Sequence, residues 1–366
     1  MDNIIKNYVD DVIIKQKQIP YIDILVKKGY DTKYRYFQNA NGTANGKEKL
    51  YMYSCSKVIT AVATMMLVEK DVIKLEDEVS KYIPNFSNSY IIENGTEVKS
   101  EPITIKHLLS MSSGLDYNFN SKYIKERFSR IPSPTAKDIA SEIIKSPLNF
   151  QPGSMFKYGL SHDVLGGVIE VVTGERFSTY IKKEIFEPLN MINSTFTLVD
   201  DYDFEPLYFS SNGKILPFNY EQEKWANHPT YDGGGGGLKS TVLDYSLFLE
   251  VLANGGVTKG GYQLIKPETL KLMTEETTKN LKIENNYTCV QGKDYGYGLG
   301  VRVRKIDTPW GLEKGEFGWD GAAGSYAMVD TKNKVSITIG MHVRNWPEVF
   351  RGEHLKLVEM IYKNIL

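Results

Sequence analysis

The longest apolar stretch in the chain begins just after Ser54-Cys55-Ser56-Lys57, where Val58, Ile59, Ala61, Val62, Met65, Met66 and Leu67 leave almost no polar face. A helix that is apolar nearly all round belongs in a domain centre. It is too short to span a bilayer, which takes about 20 apolar residues. Upstream, an acidic amphipathic pattern predicts a helix near the N-terminus, and Ile22 to Lys28 and Lys33 to Phe37 read as two strands joined by Gly29-Tyr30-Asp31. From Pro84 to about Leu281 the pattern turns helical, with long polar and glycine-rich connections; Ile103 to Leu109 and Asp163 to Val172 belong to it. Strands return at Gly298 to Ile306, Leu312 to Gly318, Gly324 to Asp330 and Val335 to His342, and a helix pattern from Val349 to Ile365 ends the chain. Strands at both ends with helices between them predict a sheet domain, residues 1–83 plus 282–366, assembled from the two termini around an inserted mostly helical domain, residues 84–281. A site is expected in the cleft between them.

Composition narrows the function classes. Of 366 residues 41% are hydrophobic, enough for a sizeable core, and 44 Lys and Arg nearly balance 45 Asp and Glu. Without a like-charge block, neither nucleic acid nor an anionic membrane is the expected partner; a small molecule is. Cys55 and Cys289, the two cysteines, make neither a disulfide framework nor a metal cluster. The N-terminus lacks the basic, apolar and small-residue regions of a signal peptide, so a cytoplasmic protein is expected. Oligomeric state is not readable.

The candidate chemistry starts at Ser54 and Lys57. Residues three apart on a helix are neighbours, which puts an amine within reach of a hydroxyl. The same S-x-x-K spacing recurs at Ser154/Lys157 and Ser211/Lys214, but there the flanking Gln151-Pro152-Gly153 and Ser210-Ser211-Asn212-Gly213 are turn compositions. Only the first copy enters an apolar helix. The competing reading is that Ser54 merely caps that helix. A serine nucleophile needs a base. His107, His162, His228, His342 and His354 form no pattern with a G-x-S-x-G elbow, so a tyrosine or a lysine of lowered pKa is the expected base.

These residues resemble a known group. Ser54-x-x-Lys57, then Tyr158-Gly159-Leu160, then Trp319-Asp320-Gly321 are similar to the three motifs of serine β-lactamases and penicillin-binding proteins, in the order of the class C β-lactamase, DD-peptidase and family VIII esterase group. The segments Leu108 to Leu115, Val164-Leu165-Gly166 with Glu170, and Gly236 to Thr241 with Asp244-Tyr245 extend the likeness along most of the chain. The resemblance implies an α+β fold, an antiparallel sheet flanked by N- and C-terminal helices with the helical insertion. It further implies that Ser54 is acylated, that Lys57 keeps a proton path and a positive charge beside it, and that Tyr158 is general base and then acid. Backbone N–H groups of Ser54 and Ala322 would form the oxyanion hole. No metal or organic cofactor is implied.

Two departures bear on substrate. Trp319 stands where the group usually has a cation for a substrate carboxylate, and Leu160 where it has an amide-bearing Asn. An indole can wall an acyl or aryl group but carries no charge, and Leu160 cannot hydrogen-bond. With Asp320 and Gly321 these are the expected substrate-binding residues, and both departures favour the esterase branch. Arg351, in a segment similar to one where a late arginine meets a carboxylate, keeps anion recognition open. The expected function is therefore a serine hydrolase of small esters, with a D-aminopeptidase or DD-peptidase-type amidase, or a weak class C-like β-lactamase, as alternatives. A non-catalytic penicillin-binding-like module is more distant. The run Gly233 to Gly237 nearly reads as a phosphate loop, but Leu238 stands where a glycine is needed and no strand pattern precedes it. Cys55, with no histidine nearby in sequence, is expected to be a packed thiol.

Overall fold

The computed structural model describes residues 2–118, 120–131, 133–197, 204–218, 231–283, 294–350 and 352–366. Its centre is a seven-stranded antiparallel sheet of β1 (Tyr21–Lys28), β2 (Asp31–Asn39), β3 (Tyr295–Tyr297), β4 (Arg302–Arg304), β5 (Phe317–Asp320), β6 (Tyr326–Asp330) and β7 (Val335–Gly340), in the order β3-β4-β5-β6-β7-β1-β2. The chain's ends meet where β1 pairs β7, Ile24 opposite Ile339 and Val26 opposite Ile337. Side chains alternate across a strand, and here both faces are covered. Ile22, Ile24 and Val26 pack with Ile5, Val9, Leu357 and Ile361 of the terminal helices. Tyr21 and Leu25 pack with the helices of the other face, α2 (Ser56–Glu69) and α4 (Val242–Ala253).

Between β2 and β3 lie most of the helices, among them α3 (Ser161–Thr173), which packs against α2. The N-terminal helix α1 (Asp2–Asn7) continues as a π-helix to Gln16, and α5 (Glu353–Asn364) closes the chain. No helix among the described residues is long and apolar enough to cross a membrane.

Several expected boundaries move, each because of a turn. Of the strand expected over Gly298 to Ile306 only β4, Arg302–Arg304, forms, because Gly300 at φ +84° lies in the turn that joins it to β3. The strand expected from Leu312 begins only at Phe317, since Leu312 is held in a turn by Thr308 and Gly315 takes φ +95°. The last helix breaks at Gly352, φ +102°, into Pro347–Phe350 and α5. Two hairpins interrupt the helical stretch, Tyr90–Glu93 with Thr96–Lys99 and Tyr208–Ser211 with Lys214–Pro217. Their Asn94-Gly95 and Asn212-Gly213 both take positive φ, the type I′ geometry that matches strand twist.

Candidate active site

Ser54 lies in a single 3-10 turn, Tyr53–Cys55, that feeds α2, and Cys55 rather than Ser54 is the residue flanking the helix. The Ser54 hydroxyl does not cap. It accepts from Lys57 Nζ at 3.1 Å and from the Tyr158 hydroxyl at 2.6 Å. Tyr53, just before it, is held at φ 45°, a left-handed conformation rare for a bulky residue and typical of strained turns at sites.

Lys57 is wholly buried. It donates to the Gly235 carbonyl at 2.5 Å and sits 4.6 Å from the Tyr158 ring centroid and 5.6 Å from that of Tyr117. Burial pulls its amine down to about 7, against the opposing pull of Asp163. Near neutral pH the amine is therefore divided between its two forms and can take up or release a proton.

Tyr158 is positioned by backbone packing. A Cβ on Gly159 would come 2.3 Å from the Leu115 carbonyl, so only glycine lets this loop lie on Leu115–Asp116. Tyr117 then stacks on Tyr158, centroids 5.5 Å apart. On the other side Trp319, fully buried on β5, stacks on Tyr158 at 5.5 Å and donates from Nε1 to its hydroxyl at 3.2 Å. The indole is more than the apolar wall expected from sequence, because it is a hydrogen-bond donor to the phenol oxygen.

The remaining expected residues fall in different places. Gly321 follows β5, and a Cβ there would lie 2.4 Å from the Met52 carbonyl, so its bareness seats the turn carrying Ala322 against the approach to Ser54. Asp320 accepts from Arg302 Nη1 at 2.8 Å, an ion pair on the sheet. Leu160 flanks α3 and lines a cavity of about 400 Å³ with Leu115, Ile124, Ile143 and Leu148. Arg351, Cys289 and His228 lie outside the described residues. Cys55 is buried with Sγ toward the Trp319 carbonyl at 3.6 Å, and burial pushes its thiol well up. Among the other S-x-x-K copies, Ser154 bonds back to Gln151 in a turn, and Ser211 pairs Lys214 across the Asn212-Gly213 hairpin.

Three features were not anticipated. Tyr117 has a partly exposed ring, but its hydroxyl reaches the site, where burial pushes the phenol up and contact with Ser54 opposes that rise. The glycine run supplies carbonyls to α2: Gly235 to Lys57, and Gly234 to Thr60 Oγ1 at 2.7 Å. Asp163 and His162 are buried behind Lys57, and neither ring nitrogen of His162 has a protein partner among the described residues. Asp163 follows Tyr158 by five residues, so its signal in the sequence was an ionisable group early in an otherwise apolar helix.

The profile of the Beta-lactamase family matches residues 1–358. The lovastatin esterase of Penicillium rubens is 27% identical over 78% of this chain and 77% of its own. In structure, EstCE1, described as a hydrolase with promiscuous acyltransferase activity, superposes with TM-score 0.80 at 21% identity over 99% of both chains. The simvastatin synthase LovD of Aspergillus terreus gives TM-score 0.80 at 19% identity, over 99% of this chain and 98% of its own. With a sheet and helical layers of that fold and a match along nearly its whole length, the chain belongs to the β-lactamase family.

Proposed function

We propose that this chain is a serine hydrolase that cleaves small esters through an acyl-enzyme on Ser54. The observation that carries the reading is the Ser54 hydroxyl within hydrogen-bonding distance of both Lys57 Nζ and the Tyr158 oxygen. A hydroxyl-to-hydroxyl contact can reverse its donor by rotation. As Ser54 Oγ bonds to the ester carbonyl carbon, its proton passes to the Tyr158 and Lys57 pair. The oxyanion that forms faces the N–H groups of Ser54 and Ala322, a contact worth most where charge develops only in the transition state. When the C–O bond breaks, the proton goes to the departing alkoxide. Water then attacks the acyl carbon by the same route in reverse, freeing the acid and restoring the Ser54 hydroxyl.

Trp319 and Leu160 support esters over β-lactams and D-amino-acid peptides. Neither residue offers a substrate the polar group that stands there in the β-lactamases: the buried indole is committed to Tyr158, and Leu160 is a buried alkyl chain. The name of the lovastatin esterase supports the same choice, and the description of EstCE1 as a hydrolase with promiscuous acyltransferase activity supports acyl transfer as a side reaction.

A parallel screen of p-nitrophenyl esters, a chromogenic cephalosporin and a D-Ala-D-Ala peptide tests the proposal, with and without added methanol. Esters should turn over fastest, with fluorophosphonate label on the Ser54 peptide and none after Ser54→Ala. Label on Ser154 or Ser211, or faster cephalosporin hydrolysis, would overturn it.

A further inference from the structure

Lys57 is the most deeply buried charge carrier in the site, and what holds it is the glycine run together with α3. Its ammonium donates to the Gly235 carbonyl. The backbone of that same residue lies against the Asp163 carboxylate, so closely that a Cβ on Gly235 would stand 2.3 Å from Oδ2. The other carboxylate oxygen, Oδ1, accepts from the Tyr231 hydroxyl at 3.0 Å. Thr60, one turn along α2, ties the neighbouring Gly234 carbonyl, and Ser56 Oγ accepts from the Leu238 N–H at 3.0 Å. The backbone of one residue, Gly235, thus lies between an amine and a carboxylate, and its segment is pinned to α2 on both sides.

We propose that Asp163 is a positioning residue for acylation, acting through the Gly235 backbone to aim the Lys57 amine at Ser54 and serving as the buried counter-charge of that amine. This rests on the acyl-enzyme reading above and adds to it a device that no residue touching substrate supplies. The clamp also explains why residue 235 has no side chain: glycine alone leaves room for the carboxylate. An uncompensated buried ammonium is costly, and a carboxylate on the far side of the Gly235 backbone offsets that cost.

The groups facing this pair come from each neighbouring element. From the turn that feeds α2 there is Cys55, which senses Asp320 and Arg302; from α3, His162 and, further along, Glu170; from the glycine segment, Tyr231 and Asp232; and from the loops, Tyr117 and Tyr158. His162 is kept neutral by burial and by Lys57 itself. Asp163 is the acid that pulls the Lys57 amine upward most strongly. Removing its charge must then lower the pH at which Lys57 titrates, whichever form of the amine the reaction needs.

The test is the rate of Ser54 labelling by a fluorophosphonate as a function of pH, in wild type, Asp163→Asn and Tyr231→Phe, alongside kcat for a p-nitrophenyl ester. Asp163→Asn keeps the shape and removes the charge. Its rate should fall at every pH, and the limb expected of the wild type near pH 7, where burial places the Lys57 amine, should move about one unit toward acid, the lower end of what an opposite charge at short range contributes. Tyr231→Phe should move it the same way by less. A folded Asp163→Asn enzyme with a lower rate and an unmoved limb would overturn the proposal by reducing Asp163 to packing. If that variant does not fold, an unmoved limb in Tyr231→Phe overturns it equally. Wild type that takes no label at Ser54 would instead refute the acyl-enzyme reading, and the proposal with it.

Discussion

Replacing Trp319 by Phe separates two things the indole does. It stacks on Tyr158 at 5.5 Å and meets Tyr297 edge-on at 5.1 Å, and it donates from Nε1 to the Tyr158 oxygen at 3.2 Å. Phenylalanine keeps an aromatic face and removes the donor. A hydrogen bond to a group that carries charge is worth about 1.5 to 3 kcal/mol, and the Tyr158 oxygen gains negative character whenever its proton is held by Lys57. Each 1.36 kcal/mol is tenfold in rate, so kcat for a p-nitrophenyl ester should fall by about one to two orders of magnitude. The lost ring also leaves a small void in a fully buried position, which costs stability of roughly 1 to 3 kcal/mol but not chemistry. Thermal unfolding measured beside the steady-state kinetics distinguishes the two losses. A variant that unfolds earlier while keeping wild-type kcat would show that the indole N–H is irrelevant to catalysis, and the reasoning from the hydrogen bond would be refuted.

Lys57→Ala and Tyr158→Phe should each lower kcat by orders of magnitude, and the double variant little further, because both contact the same hydroxyl and groups acting as one unit are non-additive; additive losses in free energy would count against a shared proton path. Gly321→Ala forces a Cβ to within 2.4 Å of the Met52 carbonyl and must shift the turn carrying Ala322. The expected result is a loss of kcat approaching the roughly 10²- to 10³-fold cost of one oxyanion donor, with unchanged KM; full activity would remove Ala322 from the proposed oxyanion hole. Trp319→Lys, which restores a cation at the third motif, should move the ratio of cephalosporin to ester kcat/KM toward the cephalosporin, and an unchanged ratio would mean that this position does not select substrate.

Whatever local spacing controls is legible in the chain before it folds. A hydroxyl and an amine three residues apart at the head of an apolar helix must be neighbours, and Ser54 and Lys57 meet at 3.1 Å. Alternating Ile22, Ile24 and Val26 dictate a strand, and Asn94-Gly95 and Asn212-Gly213 mark hairpin turns inside a region whose overall pattern is helical. Three motifs in order named the family, which the match over residues 1–358 bears out. The rest emerges only on folding, because each remaining contact joins residues with no local relation. Tyr158 reaches Ser54 across 104 positions, and the Trp319 indole reaches Tyr158 across 161. Composition represents Gly235 only as part of a low-complexity run, and Asp163 only as an acid among apolar neighbours. Their meaning arises when folding stacks α3 and the glycine segment on α2, because a charge removed from water must find its partner within a few ångströms, and only a finished fold specifies which groups those are.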